Sequence, residues 1–223
     1  LDKYQYGMWL TLSSVLGWFS FFDIGIGNGL RNVLTVALAN NHIKLARIYV
    51  STSYAFLSLI FITLIVISWI INPFINWVKI LNAPMELRQD LTMLTFYIFT
   101  FFFLRFIFSL IGSILFADQK AAINNMIGPL ANLGSLLVFV IIKNMIPGSL
   151  LIVGLVYSGI PLVVYLVFSL ILFSGKYKKI APSIKYVKFN YLQDILGLGI
   201  QFFIIQIASI VIFSWELAFW RLW

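Results

Sequence analysis

Cysteine is absent from this 223-residue chain, and charged residues make up only 10% of it. The absence of cysteine excludes disulfides, thiol catalysis and thiolate metal sites, and it leaves the redox compartment open. A soluble domain carries roughly 25% charged residues, so this chain cannot cover itself with a polar surface. With 62% hydrophobic residues and a mean hydropathy of +1.02, the composition indicates a polytopic membrane protein.

Acidic and metal-binding residues are also scarce, with seven Asp and Glu residues and one histidine. The sequence contains no carboxylate pair, catalytic triad or metal-ligand cluster, so nothing in it suggests an enzyme, a metal or a cofactor. The histidine, His42, follows Asn40 and Asn41 in a polar stretch. A solvated loop histidine is favoured there over a metal or proton site.

Six apolar segments are each long enough to cross a hydrocarbon core of about 30 Å as a helix. The alternation in ten-residue segments that would indicate a membrane barrel is not seen. The predicted fold class is therefore an all-α integral membrane protein with about six transmembrane helices. Residues 32–49, between the first two segments, are amphipathic and predict an interfacial helix pair or turn. The six segments lie at 8–30, 50–71, 93–116, 123–142, 149–173 and 195–214.

Lysine and arginine are divided unevenly between the two sides of this predicted topology. Nine of the 15 fall on one side, five fall on the other, and Arg105 lies within a span. The positive-inside rule places the nine in the cytoplasm and the first residues outside. The densest run, Lys176–Lys188, predicts a topology signal with attraction to anionic lipid, with a phosphate or nucleic-acid contact as the alternative. The nine are Arg31, Lys44, Arg47, Lys120, Lys176, Lys178, Lys179, Lys185 and Lys188.

Two ionisable residues lie deep within predicted spans. Asp23 is about 14 residues into the first span and Arg105 is about 12 residues into the third, so their depths agree within roughly 3 Å. A charge at this depth needs a partner or water. Two compatible interpretations stay open: a structural Asp23–Arg105 ion pair, and a cationic lining for an anionic substrate. Arginine suits phosphate because its planar fork donates two parallel hydrogen bonds.

Small and polar residues recur at helical spacing in several spans. Gly25, Gly27 and Gly29 precede Arg31, and they predict a loosened helix end where another backbone comes close. A dinucleotide-binding loop is excluded because no strand precedes these glycines. Glycine and serine stripes usually mark close helix packing, whereas amides are better candidates for a wet cavity. The candidate substrate-binding residues are Arg105, Arg31, Asp23, Asn125, Asn132 and Gln201.

Four runs of sequence resemble bacterial polysaccharide and O-antigen flippases of the multidrug/oligosaccharidyl-lipid/polysaccharide exporter superfamily. The first is YGMWLTLSSVLGWFSFFDIGIGNGLRN, and it is the most specific of them. The likeness covers nearly the whole chain up to about Ser214. The runs are Tyr6–Asn32, Lys44–Ala55, Phe116–Leu133 and Phe202–Phe213.

The resemblance implies a MATE-like lobe, helices two to seven of a fold with twelve to fourteen helices around a central cavity. It implies translocation of an undecaprenyl-diphosphate-linked oligosaccharide across the bacterial inner membrane, in lipopolysaccharide and O-antigen biosynthesis. Asp23, Arg31 and Arg105 would line the cavity, and the diphosphate would bind the two arginines. The implied partners are the lipid-linked oligosaccharide, membrane lipids and other polysaccharide-assembly membrane proteins, with no nucleic acid.

On this alignment residues 1–173 form an N-terminal lobe that lacks its first helix. Residues 174–194 are a basic cytoplasmic linker, and residues 195–223 start a second, truncated lobe. The end of the chain, Ser214–Trp223, departs from the family pattern. Two other functions stay open. One is a drug or cation antiporter of the same superfamily, with Asp23 as the ion-coupled acid. The other is an inactive remnant or non-transporting membrane interaction protein.

Overall fold

Helices make up all the regular structure in the described residues of the computed structural model, which are 7–11, 13, 25–142, 149–197, 199–201, 204 and 208. No strand occurs among them, so the all-α class is confirmed. The five long helices are α1 (Ile26–Ala39), α2 (Ile43–Ile71), α3 (Arg88–Ala117), α4 (Ala121–Ile142) and α5 (Leu150–Ser174). Shorter pieces are the one-turn helix Trp77–Ile80, the 3₁₀ turns Asn72–Phe74, Met85–Leu87, Lys178–Ile180, Ile184–Tyr186 and Phe189–Tyr191, and the helical stretches 7–11, 192–197 and 199–201.

Within these described ranges, four helices are long and apolar enough to cross a membrane. They correspond to the second, third, fourth and fifth spans predicted from the sequence. The first and sixth predicted spans, 8–30 and 195–214, fall largely outside the described residues. With their adjoining 3₁₀ turns, the four run over Ile43–Phe74, Met85–Ala117, Ala121–Ile142 and Leu150–Ser174.

The turn between α1 and α2 is shorter than the predicted interfacial segment, residues 32–49. α1 continues to Ala39 and α2 already begins at Ile43, seven residues before the predicted start at residue 50. Asn41 adopts φ 55°, and the N–H of His42 donates to the carbonyl of Ala37 at 2.8 Å. This left-handed C-terminal cap ends α1 abruptly. His42 is exposed in this turn, as predicted.

α3 is the central helix of the bundle, because it packs against α1, α2, α4 and α5. In its most apolar stretch 50% of the residues are buried, against 17–22% in the other three candidate spans. Its first and last turns contribute fully buried side chains, including Leu91, Leu94 and Ile114. α2 meets it through aromatic stacking, with the ring of Phe61 5.0 Å from that of Phe106. The other helices therefore leave most of their surface free to face lipid.

α1 begins where another backbone crosses it. Gly25 has φ 70°, and a side chain there would meet the carbonyl of Gly199. One turn later, a Cβ on Gly29 would meet the carbonyl oxygen of Ile195. The close backbone approach predicted from these glycines is confirmed, and it joins the helical stretches 192–197 and 199–201 to the start of α1. Such crossings are typical of small residues in membrane helices.

A buried asparagine joins the end of α2 to the start of α3. The side chain of Asn72 is 5% exposed and donates through Nδ2 to the carbonyl of Thr92 at 2.9 Å. Its Oδ1 accepts from Trp77 Nε1 at 2.7 Å and from Thr95 Oγ1 at 2.9 Å. Pro73 follows directly within a 3₁₀ turn and cannot donate a backbone hydrogen bond, so α2 ends here, while the buried amide of Asn72 stays fully hydrogen-bonded.

Candidate functional site: the open face of the central helix

One face of α3 is only partly covered by the described helices around it. Arg105, Ser109, Ser113 and Phe116 are spaced at steps of three or four, so they share this face. All four are partly exposed, whereas Ile107, like other residues on the opposite side of α3, is buried. We call these four residues the open face. Helical spacing in the sequence predicts one stripe of Arg105, Ser109 and Gly112. Gly112 is buried instead, and Ser113 lies on the open face in its place.

Arg105 brings a full positive charge to the open face. Its guanidinium carbon lies 5.5 Å from the centre of the Tyr165 ring on α5, within range of a cation–π contact. The ion pair found among the described residues is Lys176–Asp118 at the end of the bundle, and no described carboxylate lies within 4.0 Å of Arg105. The predicted Asp23–Arg105 pair cannot be placed, because Asp23 lies outside the described residues. In the described part of the chain, the Arg105 guanidinium is therefore attracted by an aromatic ring, and no described carboxylate neutralises its charge.

Arg31 lies at a different depth on the same side of α3. It is exposed on α1, and its guanidinium carbon is 5.1 Å from the centre of the Phe116 ring. Eleven residues separate Phe116 from Arg105, which is about 16 Å along the helix axis. The structure therefore does not bring the two arginines together. It places Arg31 beside the last turn of α3 and Arg105 deeper in the bundle.

A small cavity adjoins the open face between α1, α2 and α3. Its volume is about 70 Å³, and both serines of the open face line it. The hydroxyl of Ser109 donates to the carbonyl of Phe106 at 2.7 Å, so its own donor is satisfied within the helix. This volume exceeds the space of about 10–15 Å³ that a single water needs on the same measure, so the cavity can hold water. The remaining lining residues are Gly27, Leu57, Phe61, Phe106 and Leu110.

The amide candidates lie away from the open face. Asn125 and Asn132 are exposed on α4 and are seven residues apart, so they share one outward-facing side. The buried side of α4 carries Ile127 and Ser135 instead. Gln201 is exposed at the end of the helical stretch 199–201. None of these three amides forms a hydrogen bond with Arg105 in the described part of the structure.

A second polar region, which the sequence did not predict as a contact, joins the basic segment (residues 175–191) to α2. The backbone N–H of Ser183 donates to Ser51 Oγ at 3.1 Å, and that of Lys188 donates to Thr52 Oγ1 at 3.0 Å. Arg47 donates through Nε to the carbonyl of Ala181 at 3.1 Å. The segment predicted as an inter-lobe linker is therefore held against the first turns of α2. The available signal was the polar run at residues 51–53 in an otherwise apolar span.

The start of the basic segment is fixed to the end of α3. Tyr177 is buried and donates through its hydroxyl to Asp118 Oδ2 at 2.8 Å, and Lys176 pairs with the same carboxylate. Burial alone would raise the pKa of Asp118, but the hydrogen bonds from Lys176 and Tyr177 outweigh it and lower that pKa. Burial and the bond to Asp118 raise the pKa of Tyr177.

The basic residues predicted for one side do gather at one end of the bundle. The start of α2, the end of α3, the end of α5 and the basic segment contact one another there, and Arg31 lies beside Phe116 near that end. His, Asp and Glu form no group of three or more that could hold a metal within the described ranges. The site is thus organised by cations and hydroxyls, chemistry that suits recognition of an anion.

Comparison of this chain with protein-family models, with curated proteins and with solved structures finds no match. The likeness to flippases therefore depends on the sequence runs quoted above. The function has to be argued from the open face and the charges around it.

Proposed function

We propose that this chain forms part of a membrane transporter that moves a lipid-linked oligosaccharide across the bilayer, and that Arg105 contacts its diphosphate. The observation that carries the proposal is the charge of Arg105 on the open face, with an aromatic neighbour and no described carboxylate partner. The family resemblance supplies the substrate class, undecaprenyl diphosphate bearing a sugar chain.

The energetics favour a functional reason for this arginine. An arginine at the centre of a membrane helix costs about 2.5–3.5 kcal/mol on insertion scales, and such residues face a bundle interior or a water-filled cavity. Arg105 lies about 18 Å from the end of α3 at Ala117, well inside the apolar stretch. A diphosphate would offer paired oxygens to its fork, and the cavity beside Ser109 and Ser113 would keep the contact hydrated.

Arg31 would meet the substrate first if the diphosphate enters from the basic end. It lies about 16 Å nearer that end than Arg105, on the same side of α3. The diphosphate would then pass from an exposed guanidinium to a partly buried one.

The proposed activity requires a second helical lobe that moves relative to this one. Alternating access is rigid-body rocking of one helical bundle against another around a shared site. We propose the bacterial inner membrane as the location and polysaccharide assembly as the process, with other polysaccharide-assembly membrane proteins as partners. The exposed amides Asn125, Asn132 and Gln201 are available to face such a second lobe.

The decisive experiment compares Arg105→Ala, Arg105→Lys and Arg88→Ala in the full-length protein, with surface polysaccharide export as the readout. Arg88 is the matched control, because it is an exposed arginine at the opposite end of α3. We expect Arg105→Ala to abolish export, Arg105→Lys to keep part of it, and Arg88→Ala to leave it unchanged. Membrane abundance of each variant separates loss of binding from loss of folding.

Direct binding sharpens this test. Native mass spectrometry of the detergent-solubilised protein measures its affinity for undecaprenyl diphosphate. We expect Arg105→Ala to weaken this affinity about 10- to 100-fold, because hydrogen bonds to a charged group are worth about 1.5–3 kcal/mol. Unchanged export and binding in both Arg105 variants would show that the arginine is structural. Export of cationic dyes that depends on Asp23 would favour the antiporter instead.

A further inference from the structure

The basic segment presents two apolar side chains outward between its lysines. Ile184 is 94% exposed and Phe189 is 54% exposed. Residues 175–191 include five lysines and no acidic residue. Exposed aliphatic and aromatic groups flanked by lysines are the composition of interfacial segments that lie in the headgroup region of a membrane.

The segment is held too firmly for these side chains to fold back onto the protein. Backbone bonds to Ser51 and Thr52 fix the chain on either side of Ile184, and Arg47 lies 4.3 Å from the centre of the Tyr186 ring. Inward-facing positions are already filled by Tyr177 and Ile180, which are buried. Ile184 and Phe189 therefore have to be covered by something outside the described chain, or stay in water.

The position of the basic segment in the fold places it next to the membrane surface. It follows directly on the end of α5 at Ser174, and its hydrogen bonds reach residues 47–52 of α2, the first turns of a candidate span. Both helices would enter the bilayer there, so the segment lies at the membrane surface. Anionic lipid phosphates carry the charge that complements its lysines.

We propose that the basic segment is an anchor for anionic phospholipids, with Ile184 and Phe189 inserted among the acyl chains and the lysines against the lipid phosphates. The proposal does not depend on the transported substrate or on Arg105. It requires only that α2, α3 and α5 span the membrane.

The absence of cysteine makes a depth measurement direct. A single cysteine at position 184 carries a nitroxide label, and collision with oxygen and with a water-soluble nickel chelate reports whether the label lies in lipid or in water. The full chain is placed in nanodiscs of neutral phosphatidylcholine or of phosphatidylcholine with phosphatidylglycerol. A label at Asn190, exposed and polar in the same stretch, reports the depth of the backbone.

Phe74 supplies the matched control at the other end of the bundle. It is 85% exposed, and the charges around it, Lys79, Glu86, Arg88 and Asp90, sum to zero. A label at position 74 should therefore give the same depth in neutral and in anionic nanodiscs. Any general effect of lipid charge on the discs themselves would appear at this position as well.

We expect the label at position 184 to be lipid-immersed in anionic nanodiscs and markedly more exposed to nickel in neutral ones. The difference should shrink at 1 M salt, where the screening length falls to about 3 Å. It should vanish when Lys178, Lys179, Lys185 and Lys188 are all changed to glutamine. The label at Asn190 should stay nearer the water than the one at position 184.

Three results would overturn the proposal. A label at position 184 that stays water-accessible in anionic nanodiscs would show that the segment does not insert. Equal immersion in neutral nanodiscs and in the glutamine variant would show apolar insertion without recognition of anionic lipid. Protection from nickel only after addition of DNA would assign the lysines to a soluble polyanion instead.

Discussion

Replacing Gly29 with alanine tests the crossing between α1 and the helical stretches 192–197 and 199–201. In an open helix this change would stabilise the fold by about 0.8–1.0 kcal/mol, because alanine has the higher helix propensity. Here the new Cβ would meet the carbonyl oxygen of Ile195, and its next neighbours are also backbone atoms of Ile195 and Gly199. Backbone cannot rotate out of the way, and overpacking of this kind costs about 1–3 kcal/mol. We expect a net loss of up to about 2 kcal/mol.

Gly128→Ala on α4 is the control at a site without a close contact. A Cβ at Gly128 would meet nothing within 4 Å outside its chain neighbours. Pro129 follows directly and disfavours the helical conformation of a residue that carries a Cβ, which offsets the gain in helix propensity. Thermal unfolding in detergent, followed by the fluorescence of the seven tryptophans, separates the two variants. At about 2–4 °C per kcal/mol for a chain of this size, Gly29→Ala should melt several degrees below the native chain and Gly128→Ala close to it. Equal melting temperatures for the two variants would refute the close crossing.

Three further predictions concern the two ends of the bundle. Asn72→Leu leaves Trp77 Nε1 without its acceptor and should destabilise the fold by about 1–3 kcal/mol. In a Trp77→Phe background the same substitution should destabilise the fold measurably less, because no indole N–H is left unpaired. A double-mutant cycle of melting temperatures measures this difference. Tyr177→Phe should lower stability at neutral pH. Since the pKa of Tyr177 is raised in the folded chain, native stability should fall as pH rises above 10.0, and the phenylalanine variant should lack this part of the fall. The lowered pKa of Asp118 predicts a loss of stability as pH falls below 3.8, which Asp118→Asn should not show.

Hydropathy was sufficient to predict the four spans that the described residues contain, because lipid requires about 20 consecutive apolar residues for each of them. The predicted segments 93–116, 123–142 and 149–173 differ from α3, α4 and α5 by no more than five residues at either end. The predicted start of the second span, at residue 50, was less accurate. The predicted span left out residues 43–49, which include Lys44 and Arg47, yet α2 already begins at Ile43. The cap at Asn41 turns the chain directly after α1 ends at Ala39, so few residues are needed between the two helices.

The candidate site was only partly predictable, for a physical reason. Helical periodicity places Arg105 and Ser109 on one face from local spacing alone. The contact of Arg105 with Tyr165 joins residues 60 positions apart, and the anchoring of Ser183 on Ser51 joins residues 132 positions apart. Nothing in local spacing encodes such contacts. The inference that Arg31 and Arg105 share one diphosphate ignored depth, and the structure separates them by about 16 Å.

The ion pair found among the described residues lies at the basic end of the bundle, away from Arg105, and this makes the two proposals separable. Asp118 neutralises Lys176 and accepts from Tyr177, so the acid that follows α3 is already engaged about 20 Å from Arg105 along the helix. Salt at the membrane surface screens the lysines of the basic segment far more than a guanidinium packed on an aromatic ring inside the bundle. Raising ionic strength should therefore release Ile184 from anionic lipid while diphosphate binding at Arg105 persists. Parallel loss of both with salt would mean that one electrostatic surface, rather than two sites, accounts for them.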